Sequence, residues 1–111
     1  MATEKEKRIE AEKERLRNIL SDLPQEKMDI AEGLIDEVAF MRATLKDLKD
    51  DINENGPIDE MPQGEYSILR ESPAVKTYNT MVQRYNAIYK ELFSLLPKGV
   101  VVEDEDEFDK F

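Results

Sequence analysis

The stretch Ala31–Ile52, AEGLIDEVAFMRATLKDLKDDI, decides the fold of this chain. Its apolar residues recur at alternating spacings of three and four, and they are Ala31, Leu34, Val38, Met41, Leu45, Leu48 and Ile52. This spacing places one apolar stripe along an α-helix, in the a and d positions of a coiled-coil seam. We therefore predict a long helix over about residues 24–53. Pro24 suits its first turn, where the missing N–H has no partner to lose.

A second stripe with the same spacing follows Ser72-Pro73, a typical helix start with serine as N-cap and proline in the first turn. Its members are Val75, Tyr78, Val82, Tyr85, Tyr89, Leu92 and Leu96. The pattern predicts a helix over about residues 73–97. Two helices with stripes of equal length most simply pack as an antiparallel hairpin. We expect its tyrosines to pack at the edge of the core with their hydroxyls at the rim; the alternative is a base-stacking or ligand-binding role.

The remaining segments are less strongly patterned. Thr3 and Glu6 fit a capping box, which predicts a helix from Glu4 to about Leu20 with few apolar residues. Residues 54–72 contain two prolines and two glycines and predict a long loop with at most a short turn at 66–70. We thus expect an all-α fold: one helical domain over residues 1–98, with coiled-coil-like packing, followed by a disordered acidic tail over 99–111.

Composition excludes several classes of function. The chain has 111 residues, enough for one domain, and it contains neither cysteine nor histidine. Disulfides, the usual zinc sites and Cys or His nucleophiles are therefore excluded. Asp51, Asn53, Asn55 and Gly56 match part of a calcium-binding loop, but Pro62 stands where a bidentate Glu is required, which favours a helix end and a turn. We expect no enzymatic activity, no cofactor and no metal.

The net charge of −10 is unevenly distributed. Residues 1–20 carry +1, residues 21–71 carry −9, residues 72–102 carry +3 and residues 103–111 carry −5. The total excludes a uniformly basic nucleic-acid clamp but permits local basic strips. The candidate phosphate-binding residues are Lys5, Lys7, Arg8, Lys13, Arg15 and Arg17 on the first helix and Lys76, Arg84 and Lys90 on the last. The first six alternate with glutamates, so a solvated helix held by ion pairs is the competing interpretation.

The tail combines charge with aromatic residues and has the composition of a short docking peptide for a protein partner. Its candidate docking residues are Glu103, Asp104, Glu105, Asp106, Glu107, Phe108 and Phe111. The charged N-terminus and the lack of an apolar run near 18 residues lead us to expect a cytoplasmic protein without a membrane partner.

A family resemblance covers about residues 52–98. It is carried by Asn55-Gly56, Gln63-Gly64, Glu71-Ser72-Pro73-Ala74-Val75, Tyr78-Asn79-Thr80-Met81, Arg84-Tyr85, Tyr89, Leu92 and Leu95-Leu96-Pro97-Lys98. These residues resemble the small subunits of phage and prophage terminases. The resemblance implies a non-enzymatic homo-oligomer, often a ring, that binds double-stranded viral DNA in the host cytoplasm and presents it to a large ATPase and nuclease subunit. The helix-turn-helix of many small terminases is not evident, since the early break at Asp22-Leu23-Pro24 lacks a glycine-containing turn.

Two other functions remain open from the sequence. The net charge of −9 over residues 21–71 also fits an acidic phage protein that inhibits a host nucleic-acid-binding protein by mimicking phosphate charge. A helical scaffold or adaptor is the third interpretation.

Overall fold

A computed structural model describes residues 2–97, which form three helices and a two-stranded β-hairpin. In chain order these are α1 (Glu4–Ile19), α2 (Gln25–Asn55), β1 (Ile58–Gln63), β2 (Tyr66–Glu71) and α3 (Pro73–Phe93). The three predicted helices are confirmed, but the fold is mostly helical and not purely all-α. The acidic tail over 99–111 lies outside the described residues.

The starts of α1 and α3 follow the capping chemistry that the sequence predicts, whereas α2 begins at Gln25, one residue after Pro24, without a side-chain cap. The Thr3 side chain accepts a hydrogen bond from the Glu6 N–H at 3.1 Å, and the Ser72 side chain accepts one from the Ala74 N–H at 3.2 Å. α3 ends at Phe93, four residues before the predicted end at Pro97. Its last turn tightens into i→i+3 hydrogen bonds, such as Leu96 N–H to the Phe93 carbonyl at 3.1 Å, because the residue before a proline is disfavoured in the α conformation.

The predicted long loop over 54–72 is wrong. β1 and β2 pair in antiparallel register from Ile58↔Glu71 to Gln63↔Tyr66, so the expected turn at 66–70 is instead a strand. Gly64, with φ +67°, and Glu65 form a two-residue connection of the kind that joins tight hairpins. Pro62 indicated a loop because proline lacks the N–H that a central strand needs. Both strands of a two-stranded sheet are edge strands, and an edge strand tolerates proline.

The connection fixes the orientation of the helices. The Ser72 N–H donates to the Pro57 carbonyl at 2.9 Å, which closes the base of the β-hairpin and holds the end of α2 beside the start of α3. α2 and α3 therefore pack antiparallel. α1 also packs against α2 and runs antiparallel to it, since Arg8 contacts Asp47 near the end of α2 and Arg17 contacts Glu32 near its start.

The core lies where the three helices meet. Its fully buried members include Leu16 and Leu20 from α1 and the following turn, Ile35 from α2, and Leu92 from α3. Of the predicted stripe, Val38, Leu45, Tyr85, Tyr89 and Leu92 are buried, whereas Leu34, Met41, Leu48, Val75, Tyr78 and Val82 are half-buried. Within residues 2–97 no helix is both long and apolar enough to cross a membrane.

Candidate nucleic-acid interface

The basic residues of α1 are occupied by acidic partners, most of them on α2. The ion pairs across the helices are Lys5–Asp47 at 3.8 Å, Arg8–Asp47 at 2.7 Å, Lys13–Asp36 at 3.2 Å and Arg17–Glu32 at 3.1 Å. Lys7 pairs within α1 with Glu4 at 3.8 Å. Four of the six cations predicted to contact phosphate on this helix thus attach α1 to α2. This arrangement favours the ion-paired interpretation of the first helix over a DNA-contacting one.

The centre of this contact is a buried carboxylate. Glu12 is only 9% exposed, and it accepts two hydrogen bonds from Arg15, from Nε at 2.6 Å and from a terminal guanidinium nitrogen at 2.8 Å. Arg42 of α2 approaches the same carboxylate at 3.5 Å. The hydroxyls of Tyr85 and Tyr89 on α3 face Arg42 and Arg15 respectively. One polar cluster therefore connects all three helices.

The tyrosine hydroxyls of this cluster are buried and do not lie at the rim of the core, contrary to the expectation from the sequence. Burial raises the pKa of Tyr85 and Tyr89, while their hydrogen bonds with Arg42 and Arg15 partly oppose the rise. The Arg15 pKa is raised mainly by its hydrogen bonds to Glu12. The two rings contact each other with centroids 5.6 Å apart. Both side chains are also buried, with Tyr85 0% and Tyr89 2% exposed, so neither ring is accessible for stacking on a nucleic-acid base.

The basic residues of α3, in contrast to those of α1, form no ion pairs within the described part of the chain. Lys76, Arg84 and Lys90 are exposed, and within residues 2–97 none of them lies within ion-pair distance of an acid. Glu91 is the one acidic residue in the α3 sequence. At 1.5 Å per residue, the three cations are spaced about 12 and 9 Å apart along the helix axis. We call these three residues the α3 cation strip.

A surface pocket lies beside the strip, between α2 and α3. It has a volume of about 300 Å³ and is lined by Met41, Lys76, Thr77, Thr80, Met81 and Arg84. The Thr80 hydroxyl donates to the Lys76 carbonyl at 3.2 Å, so its oxygen still has lone pairs to accept from a ligand. Two cations beside two hydroxyls and two thioethers suit an anionic group that carries an apolar or aromatic part.

The β-hairpin exposes apolar side chains. Ile58, Tyr66, Ile68 and Leu69 are all exposed, from 45% at Ile68 to 76% at Leu69. Among the element pairs in substantial contact, the strands pair only with each other, so the hairpin projects from the helical body. A two-stranded hairpin is marginally stable by itself in water. Its exposed apolar side chains and unpaired edges are therefore suited to a protein partner.

The described residues offer no evident metal centre. Over residues 2–97, no group of three or more acidic side chains is arranged to hold an ion. The segment that resembled part of a calcium loop is divided between α2 and β1, and the Asn55 side chain donates to Asp51 within α2.

No family model matches this chain, and no curated protein or solved structure shows significant similarity to it.

Sequence reasoning missed the Glu12–Arg42 contact. Glu12 belongs to a run of alternating charges that reads as solvated, and Arg42 lies on a helix whose acids outnumber its bases. One signal was available: Arg42 directly follows Met41 of the apolar stripe and directly precedes Ala43, so it lies at the border of the buried face.

Proposed function

We propose that this chain is a small terminase subunit: a non-enzymatic, homo-oligomeric adaptor that binds double-stranded viral DNA through the α3 cation strip. The observation that carries the proposal is that Lys76, Arg84 and Lys90 have no acidic partner among the described residues, 2–97, in a chain of net charge −10. Such a chain repels DNA unless its cations are grouped on one surface. The strip supplies that group, and the α1 cations do not.

Self-association is the second part of the proposal. The exposed apolar side chains of the β-hairpin support it, since Ile58, Tyr66, Ile68 and Leu69 would be covered in an oligomer. Coiled-coil-like packing along α2 and α3 belongs to the same proposal. In a closed ring each copy would repeat the α3 cation strip, and the separate fields would add along the path of the DNA.

The acidic tail is the proposed contact with the large terminase subunit. Glu103–Glu107 supply charge for steering and Phe108 and Phe111 supply aromatic anchors. The subunit would act in the host cytoplasm during assembly, by holding DNA and not by reacting with it.

The test is DNA binding measured against salt concentration. We expect fluorescence anisotropy of a labelled duplex to give a linear dependence of log K on log salt, because bound cations displace counterions from DNA. The double variant Lys76→Ala/Arg84→Ala should reduce the magnitude of that slope by about 1.8 for each chain in contact with DNA, at about 0.9 per lost phosphate contact.

The matched control is Lys7→Ala/Lys27→Ala, which removes two exposed cations outside the strip. It should leave the slope within about 0.5 of the parent value. Equal effects of the two double variants would reject the strip as the contact surface, and no binding at low salt by the oligomer would reject the proposed function. Light scattering in the same buffers gives the oligomeric state, and a strict monomer would reject self-association.

One observation favours the acidic inhibitor as a second candidate. Several acids near the β-hairpin are exposed and lie in no ion pair within residues 2–97: Asp51, Glu54, Glu60, Glu65 and Glu71. Together they present a negative end to the molecule. If the chain fails to shift duplex DNA but blocks DNA binding by a basic host protein in a salt-dependent manner, this second function replaces the first.

A further inference from the structure

The α3 cation strip lacks an intramolecular counterion among the described residues, while the same chain continues beyond Pro97 into its most acidic segment. Glu91 is the one acid of α3 itself, and the α2 acids that form ion pairs within residues 2–97 are bound to cations of α1 and α2. Six of the nine residues from Glu103 to Phe111 are acidic. We propose that the segment Glu103–Phe108 binds along the α3 cation strip of its own chain.

The lengths of the two partners match. From Lys90 to Lys76 the helix rises about 21 Å, at 1.5 Å per residue. The acidic run Glu103–Asp109 has seven residues and spans about 23 Å when extended, at 3.3 Å per residue. An extended acidic segment running back along α3 is therefore long enough to reach from the level of Lys90 to that of Lys76.

The connecting segment is long enough to turn the chain back. Pro97 lies seven residues beyond Lys90, about 10 Å along the axis. Residues 98–103 can span about 20 Å, which exceeds that distance and leaves chain for the reversal. Because the tail and the strip belong to one molecule, the short connection gives an effective concentration in the millimolar range.

The pocket beside the strip accounts for the aromatic residue in the acidic segment. With Glu103 at the level of Lys90, five further residues place Phe108 about 16 Å along the strip, near Thr80. The pocket there, of about 300 Å³, brings together Met41, Met81 and the two cations Lys76 and Arg84. Thioethers and cations are both favourable contacts for an aromatic ring. The acids thus neutralise the strip, and the ring fills its pocket.

In this arrangement the tail competes with DNA phosphates for the strip. This competition rests on the proposed DNA-binding function, whereas the binding of the tail to the strip does not depend on it. DNA that occupies the strip would release the acidic segment, and coupling of this kind is reciprocal. The tail would then be presented to a protein partner chiefly when DNA is bound.

The test is carbodiimide cross-linking of the full chain at low salt, followed by mass spectrometry. This reagent joins a lysine amine to a carboxylate in direct contact. We expect Lys76 and Lys90 to join to the peptide that contains Glu103–Asp109, while the exposed Lys27 gives at most a tenth of that yield. The Lys13–Asp36 pair, 3.2 Å apart, is the internal positive control.

Two comparisons complete the test. In the variant Lys90→Ala/Arg84→Ala, the link to Lys76 should fall at least fivefold, whereas Lys7→Ala/Lys27→Ala should leave it unchanged. A mixture of isotope-labelled and unlabelled chains distinguishes links within one chain from links between copies. Links that form only between copies, links to Lys27 as frequent as links to Lys76, or the absence of tail links beside a normal Lys13–Asp36 yield would each overturn the proposal.

Duplex DNA separates this inference from the proposed function. Tail links that form and then fall by more than half when DNA is added support both. Tail links that persist, with no DNA binding in the salt titration, leave the tail contact in place and reject the DNA-binding function. Normal DNA binding without tail links rejects the tail contact alone.

Discussion

Replacing Glu12 by glutamine removes the one carboxylate that Arg15 and Arg42 share. The substitution keeps the shape of the side chain and deletes its charge, so two guanidinium groups remain side by side without their counterion. Glu12 is 9% exposed and accepts bonds at 2.6 and 2.8 Å. The loss therefore falls on the best-formed ion pair among the described residues.

The size of the destabilisation by Glu12→Gln depends on how deeply the charged groups are buried. Breaking a fully buried ion pair by removing one partner costs about 3–5 kcal/mol. The side chains of Arg15 and Arg42 are 31% and 35% exposed, so water screens the charges that are left behind. We therefore expect Glu12→Gln to lower the free energy of unfolding by about 2–3 kcal/mol, which corresponds to a fall in Tm of about 10–20 °C for a domain of this size.

The assay is urea unfolding followed by far-ultraviolet circular dichroism at one fixed protein concentration, since self-association would shift the midpoint with concentration. Glu10→Gln is the matched control, because Glu10 is 69% exposed and lies 3.5 Å from Lys13. It should cost less than about 0.5 kcal/mol. The double variant Glu12→Gln/Arg42→Gln should be less destabilised than the sum of its single changes, since it also removes one of the two positive charges that Glu12 neutralises. Equal losses for Glu12→Gln and Glu10→Gln would refute the reasoning.

Three further results are expected. Burial raises the pKa of Tyr85 and Tyr89, so above pH 10 both tyrosines stay neutral in the folded chain while they ionise in the unfolded one. The free energy of unfolding should therefore be constant below pH 10 and fall above it by about 1.4 kcal/mol per pH unit for each tyrosine. Urea midpoints measured against pH should show this fall, and Tyr85→Phe should halve its slope. Gly64→Ala places a side chain at φ +67° and should cost about 1–2 kcal/mol locally, seen as faster amide exchange over 58–71 with the helices unaffected. Ser72→Ala deletes the cap on the Ala74 N–H and should lower stability by about 1 kcal/mol in thermal unfolding; no change in Tm would show that the cap contributes nothing.

The helices could be predicted because local signals agreed with one another. Capping residues at Thr3 and Ser72 marked two starts, and periodic apolar residues marked the buried faces of α2 and α3. The β-hairpin was not predicted because Pro57, Pro62 and Gly64 belong to residue types that are rare in strands. Only the pairing of the two strands shows that Gly64 makes the turn and that Pro62 lies on an edge.

The candidate interface was predicted only in part, for an electrostatic reason. A sequence gives the charge of each residue but not the distance to its counterion, so the glutamates between the α1 cations suggested ion pairs without identifying the partners on α2. The fold places Asp36, Asp47 and Glu32 of α2 against α1, which neutralises that helix and leaves Lys76, Arg84 and Lys90 as the distinct group. Pairing across 15 to 42 residues of sequence is a tertiary property that no local pattern contains.

The two halves of α1 are held by different interactions, so they unfold under different conditions. Its C-terminal end is anchored by Leu16 and Leu20 in the core, whereas its first half is held mainly by exposed ion pairs such as Arg8–Asp47. At 1 M salt the Debye length falls to about 3 Å, and these exposed pairs lose most of their attraction, while apolar burial does not weaken. The chain therefore contains a segment, roughly residues 4–11, that can fray as a unit of its own while α2 and α3 remain folded. Ionic strength thus controls the length of the folded part of α1.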